Sequence, residues 1–251
     1  MSIMYYNGRV AAAHLYKLGG STALMRKNTG NGQARITRYW LLLAALPLAS
    51  GAALIVHVLT TISLGVALIG AGIIVIGAGT LAWMRLPSMA RTEIAQRAKV
   101  GLIAGLLATI AYDVSRWLIV TVFHDTFMPF HVFPIFGYAI AGTNLNPDIA
   151  TTIGTLYHYA NGVLFAVAYA ILLAPRAWWI GIFWALGLEA LMLSIYPGWL
   201  HPSPFEEFVS ISMLGHVAYG AVLGICSRRL LARQKGTHVP GIKLFNSDSA
   251  H

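Results

Sequence analysis

Long apolar runs separated by short polar stretches dominate this chain. Residues 39–84 are apolar over roughly twice the length that one bilayer crossing needs, about 20 residues, and "TTIS" (Thr60–Ser63) supplies a turn between two helices. Further apolar runs cover residues 100–123, 151–174, 177–196 and 208–231. The pattern predicts an all-α polytopic membrane protein with a basic N-terminal segment (1–38), a domain of six transmembrane helices (39–231) and a C-terminal tail (232–251).

Composition supports this fold class. The chain has 251 residues, of which 57% are hydrophobic and 10% are charged, whereas soluble domains carry roughly 25% charged residues. The mean hydropathy is +0.69, so lipid is the expected surroundings of the folded chain. The single cysteine, Cys226, excludes an intrachain disulfide and any metal site built from several cysteines.

The basic residues all flank apolar runs, with the exception of Arg116 inside the third span. They lie before the first span, between the second and third, between the fourth and fifth, and after the sixth, and the loops near 60–63, 124–150 and 197–207 contain none. Cytoplasmic loops are enriched in Lys and Arg, so both termini are predicted in the cytoplasm, in a bacterial-type inner membrane. The net charge of +9 forms no basic stripe, and no nucleic-acid partner is expected. Other membrane subunits or a second copy of the chain remain open as partners.

Four consecutive spans each carry one ionisable residue at a similar predicted depth. These residues are Asp113, His158, Glu189 and His216. At 1.5 Å per helical residue they lie roughly 10–15 Å below the outer surface. Ionisable groups inside a membrane are costly, which makes them candidates for function. Arg116 stands three residues after Asp113 and is expected to compensate its charge as an ion pair.

A short internal repeat accompanies this layer. The third and fifth spans carry a carboxylate, and the fourth and sixth carry "HYANG" (His158–Gly162) and "HVAYG" (His216–Gly220). The outer connections each hold a histidine with a nearby proline, at His131 and His201, and these two are expected to support the layer from outside. The pattern predicts a parallel repeat of spans three and four in spans five and six, about an axis along the membrane normal.

The layer permits three functions. The leading hypothesis is a metal ion such as iron, copper or zinc held by Asp113, His158, Glu189 and His216, in a subunit of a membrane redox complex. A related form is haem b with His158 and His216 as axial ligands and with Gly162 and Gly220 leaving room for the ring. The alternatives are a proton-coupled small-solute transporter using the same layer and a structural accessory subunit. No motif for a catalytic nucleophile is present, and whether the chain is an enzyme stays open.

The stretch "DVSRWLIVTVFHDTFMPFH" (Asp113–His131) resembles the metal-binding segment of the C subunit of the membrane copper monooxygenases for methane and ammonia. Asp113, His131 and "DTFMPFH" match that segment, whereas Trp117 stands where the family has a histidine. The resemblance is confined to these residues. It implies a monooxygenase-like accessory role with Asp113 and His131 near a metal.

Overall fold

The chain folds into helices throughout the part that the computed structural model describes, residues 36–236, with the backbone alone described for Lys235 and Gly236. Nearly all of the predicted N-terminal segment and most of the C-terminal tail lie outside these residues. The helices are α1 (Ile36–Leu59), α2 (Leu64–Arg85), α3 (Ser88–Phe123), α4 (Val132–Ala141), α5 (Pro147–Leu172), α6 (Ile180–Ile195), α7 (Pro197–Leu200) and α8 (Phe205–Gly236).

The all-α prediction is confirmed for the described residues, and five helices are long and apolar enough to cross a membrane. These are α1, α2, α3, α5 and α8. The fifth predicted span, 177–196, contains α6, which has only 16 residues. The third span begins earlier than predicted, at Ser88 instead of residue 100, because the polar stretch "SMARTEIAQRAK" continues the helix without a breaker.

Local signals in the sequence account for several helix boundaries. The Ser63 side chain accepts a hydrogen bond from the backbone N–H of Val66 at the start of α2, after the predicted turn. The Asn146 side chain does the same for the N–H of Asp148 at the start of α5, where Pro147 is the first helical residue. Pro47 produces a 3₁₀ turn inside α1.

The core of the bundle is built around α3, which packs against both α5 and α8, while α6 packs against α8. Small residues allow these close approaches. A Cβ added at Gly101 of α3 would lie 2.6 Å from Cα of Val167 on α5. A Cβ added at Gly181 of α6 would lie 2.2 Å from the backbone oxygen of Gly220 on α8. Helices that approach this closely are typical of membrane bundles.

The helix α4, the last turn of α3 and the first turn of α8 lie at one end of the bundle, which we call the α4 end. The segment "FPIFGYAIAG", predicted to be re-entrant or interfacial, forms most of this helix of 10 residues, which is too short to cross a bilayer. It packs tightly on α5. A Cβ at Gly154 would lie 1.7 Å from the backbone oxygen of Phe133.

The chain reaches the opposite end of the bundle after α5 and then returns to the α4 end along α6. At that opposite end the Arg97 guanidinium donates hydrogen bonds to the carbonyl oxygens of Ile171 and Ala174. Tyr196, directly after α6, lies back at the α4 end, where it shares a cavity with Thr126. Glu207 connects α8 to the loop after α3 at this end, since its carboxylate accepts hydrogen bonds from the backbone N–H groups of Thr126 at 2.9 Å and Phe127 at 2.8 Å.

Candidate functional site

The first histidine–carboxylate pair joins α3 and α5. His158 Nε2 lies 3.1 Å from Asp113 Oδ1, within hydrogen-bond distance, and the two side chains are 16% and 10% exposed. The close packing of α3 on α5 through Gly101 and Gly105 sets this distance, because neither glycine has a side chain to hold the helices apart. The ring of Phe133, from α4, lies beside the imidazole with centroids 5.0 Å apart.

The second pair joins α6 and α8. His216 Nδ1 lies 3.0 Å from Glu189 Oε2 and 2.9 Å from the backbone oxygen of Ser212. The contact with Glu189 is at ion-pair distance but lacks hydrogen-bond geometry, and among the described residues neither buried carboxylate oxygen has a donor in hydrogen-bond geometry. Glu189 is only 1% exposed. The His216 Nδ1–H group therefore donates to the Ser212 carbonyl oxygen. In a neutral imidazole this leaves Nε2 as the hydrogen-bond acceptor.

Tyr112 connects the two pairs. Its ring centroid lies 5.8 Å from that of His158 and 4.8 Å from that of His216. Its hydroxyl lies 3.4 Å from Ser212 Oγ. The two imidazoles are therefore neighbours of the same buried ring.

Arg116 does not form the expected ion pair with Asp113. In the described part of the chain Asp113 pairs with His158, and no carboxylate lies within ion-pair distance of the guanidinium. Arg116 instead donates from Nη2 to the Pro129 carbonyl oxygen at 2.9 Å and stacks over the Tyr112 ring at 4.8 Å. The i,i+3 spacing permits an ion pair between Asp113 and Arg116, but Asp113 is hydrogen-bonded to the His158 imidazole instead. The Arg116 side chain extends towards the α4 end, where it reaches Pro129.

Two cavities meet at this layer. The mid-bundle cavity has a volume of about 280 Å³ and lies among α1, α3, α5, α6 and α8, with both His158 and His216 on its wall. The second, called the α4-end cavity, has a volume of about 410 Å³ and is lined by Arg116 and His158 among others. The residues common to both walls are Tyr112, Phe136, His158, Met192 and Tyr196. A thin set of side chains therefore separates two spaces along the bundle.

The remaining predicted residues fall in three places. His131 and His201 both line the α4-end cavity, and neither lines the mid-bundle cavity. Gly162 lines the mid-bundle cavity, and a Cβ there would lie 2.4 Å from Thr109 Oγ1. At Gly220 a Cβ would lie 2.4 Å from the backbone oxygen of Gly181, so α6 fills the space beside this glycine.

The structure arranges the four predicted ligands as two pairs and does not gather them at one point. Within the described residues no group of three or more His, Cys, Asp and Glu side chains could hold a metal ion. Asp113 pairs with His158, and His131, the histidine that the local resemblance matches, lines the α4-end cavity. Metal or haem binding by Asp113, His158, Glu189 and His216 stays a prediction.

Two contributors to the site were not predicted from the sequence. Tyr112 precedes Asp113 directly and lies one helical turn before Arg116, which was the available signal. Ser212 lies one turn before His216 and supplies both a carbonyl acceptor and a hydroxyl. Comparison with known proteins adds no assignment, since no family model, curated protein or solved structure matches this chain.

Proposed function

We propose that the chain is an integral membrane protein that transports a small solute together with protons. The two histidine–carboxylate pairs, Asp113–His158 and Glu189–His216, bind and release the protons. The observation that carries this proposal is the placement of both imidazoles beside Tyr112, which itself belongs to the wall shared by two cavities.

The charges of the layer support proton binding. With both imidazoles neutral, the ionised forms of Asp113, Glu189 and Arg116 sum to a net charge of −1. Uptake of one proton by either pair makes the layer neutral, and release restores the charge. Buried uncompensated charge is costly in a medium of low dielectric constant. Proton occupancy is therefore expected to change the energy of whichever conformation buries the layer more deeply.

The path of α6 supports a sixth crossing. This helix of 16 residues is about 24 Å long at 1.5 Å per residue, and α7 extends the chain further towards the α4 end. A bilayer core is about 30 Å thick, so a local thinning or a polar end can accommodate the difference. Six crossings also agree with the distribution of Lys and Arg, which places both termini on the cytoplasmic side.

The cavities suggest how a solute passes the layer. Five residues belong to both cavity walls, among them Tyr112 and His158. Side-chain rotation there, or a small shift of α6 and α8 against α3, would connect the two spaces. Transporters commonly place their binding sites near the membrane midplane, between elements that move relative to one another.

Proton movement driven by a solute tests the proposal. The protein is reconstituted into liposomes that contain a pH-sensitive dye, and solutes from neutral, anionic and cationic classes are added outside at a fixed pH. At least one class should drive proton entry in wild-type liposomes but not in protein-free ones. The substitution Glu189→Gln should abolish that entry.

The matched control is Glu206→Gln, at an exposed glutamate in the first turn of α8. This variant should behave as wild type because Glu206 lies outside the layer. Solute uptake that is independent of pH, and equal in wild type and Glu189→Gln, would contradict proton coupling.

A further inference from the structure

The α4-end cavity contains a buried arginine whose hydrogen-bonding capacity is largely unused. Arg116 is 3% exposed, and a guanidinium carries five N–H donors. Within the described residues its one hydrogen-bond acceptor is the Pro129 carbonyl, and Nε is buried without any acceptor. A guanidinium in this state lacks the partner that it binds best, a carboxylate or a phosphate that presents two oxygens to it.

No acidic side chain of the described chain lines this cavity. The Glu207 carboxylate, in the first turn of α8, accepts hydrogen bonds from the backbone N–H groups of Thr126 and Phe127. The polar groups on the cavity wall include His131, His201 and Ser212, which can donate hydrogen bonds. The cavity therefore offers one fixed positive charge and several donors to an anion.

The rest of the cavity wall is largely apolar. Phe127, Ile135, Phe136, Met192, Leu200 and Phe208 all contribute to it. A single guanidinium balances one negative charge, and an apolar wall favours a ligand with an apolar body. A multiply charged anion would require further cationic groups and would lose hydration against these side chains.

We infer that the α4-end cavity binds a small organic monocarboxylate, with its carboxylate on Arg116 and its apolar body against the surrounding aromatic and aliphatic side chains. This inference rests on the proposed function, because it names the class of solute that the proton-binding layer would move. It places the carboxylate one helical turn from Asp113 and beside Tyr112, which the guanidinium covers at 4.8 Å.

Carboxylate binding adds one negative charge to a layer that already has a net charge of −1 when both imidazoles are neutral. Binding should therefore draw protons from water onto the titratable groups that surround the site. These groups are Asp113 on α3, His131 before α4, His158 on α5, Glu189 on α6, His201 after α7 and His216 on α8. Proton uptake on binding is the coupling that transport requires.

The test measures binding of benzoate, butyrate and inorganic phosphate to the purified full chain in detergent by calorimetry, with benzamide as the uncharged analogue of benzoate. Benzoate or butyrate should bind saturably, and benzamide and phosphate should not. The substitution Arg116→Gln should weaken carboxylate affinity by about 10- to 100-fold, as expected for loss of a charged hydrogen-bond donor. The substitution Arg97→Gln, at an arginine paired with Glu93 outside the cavity, should leave affinity unchanged.

A second pair of variants keeps the test decisive if Arg116→Gln does not fold. Ile135 lines only the α4-end cavity, and Leu188 lines only the mid-bundle cavity. The substitution Ile135→Trp should fill the site and abolish carboxylate binding, whereas Leu188→Trp should retain it. Binding of phosphate alone, absence of carboxylate binding in wild type, or equal binding by Ile135→Trp would each overturn the inference.

The same titration, repeated in two buffers of different ionisation enthalpy, counts the protons taken up. Carboxylate binding with proton uptake supports both the site and the proposed function. Carboxylate binding without proton uptake supports the site and contradicts proton coupling. Proton-coupled uptake of another solute class, without carboxylate binding, supports the coupling and overturns the site.

Discussion

Nδ1 of His216 lies 3.0 Å from Oε2 of Glu189, a glutamate that is only 1% exposed inside the bundle. His158 and Asp113 form the corresponding pair on α5 and α3, with a hydrogen bond of 3.1 Å. Both imidazoles contact Tyr112. This arrangement places two histidine–carboxylate pairs beside one buried aromatic ring.

Tyr112 should contribute to stability mainly through its ring. The substitution Tyr112→Phe removes the weak hydroxyl contact with Ser212 and should lower the free energy of unfolding by about 0.5–1.5 kcal/mol. The substitution Tyr112→Ala removes the ring between both imidazoles and should cost about 3–5 kcal/mol. Reversible unfolding in mixed micelles measures both values, and equal costs for the two variants would contradict this assignment.

The layer itself could be predicted from the sequence because charged residues inside apolar runs are conspicuous. The lengths of the apolar runs and the distribution of Lys and Arg predict one depth for Asp113, His158, Glu189 and His216. Which histidine faces which carboxylate depends on how the helices rotate about their axes, and periodicity alone does not set that rotation. In the structure, close contacts at glycines, such as Gly101 with Val167 and Gly181 with Gly220, set the rotation of the helices.

The position of Arg116 shows the limit of local spacing as a guide. An i,i+3 carboxylate makes an ion pair possible, but His158 from another helix competes for Asp113. The Arg116 guanidinium donates to the Pro129 carbonyl oxygen instead. Pro129 follows Phe127, whose backbone N–H donates to Glu207, a residue far along the chain. Contacts between distant segments of this kind were not predictable from the sequence pattern.

Glycine contacts should hold α6 against α8. The substitution Gly220→Ala introduces a Cβ 2.4 Å from the backbone oxygen of Gly181, which neither helix can accommodate without moving. It should destabilise the protein by about 1–3 kcal/mol. The control is Gly187→Ala, because a Cβ at Gly187 meets nothing within 4 Å. Thermal unfolding in detergent should show a lower midpoint for Gly220→Ala alone; equal midpoints would contradict the packing account.

Metal content separates the proton-binding account from the metal and haem hypotheses. Elemental analysis and a visible spectrum of gently purified protein should show no stoichiometric metal and no Soret band if the pairs bind protons only. A stoichiometric metal that is lost in both His158→Ala and His216→Ala would favour the metal hypothesis. An unchanged activity with reduced assembly in His216→Ala would favour the structural accessory role.

The predicted orientation can be tested with single cysteines introduced into a Cys226→Ser background. Asn144, in the loop after α4, and Thr92, in the first turns of α3, are both exposed. In intact cells a membrane-impermeant maleimide should label Asn144→Cys, whereas Thr92→Cys should require permeabilised cells. The reverse pattern would contradict the orientation predicted from the Lys and Arg distribution.

Proton exchange at the two pairs is tested most directly by infrared difference spectroscopy across a pH step from about 5 to 8, the range in which histidine environments titrate. Wild-type protein should show carboxylic-acid and imidazole bands, and the Asp113→Asn/Glu189→Gln double variant should lose the carboxylic-acid contribution of the two pairs while remaining folded. Identical difference spectra for the wild type and the double variant would contradict proton binding by these pairs.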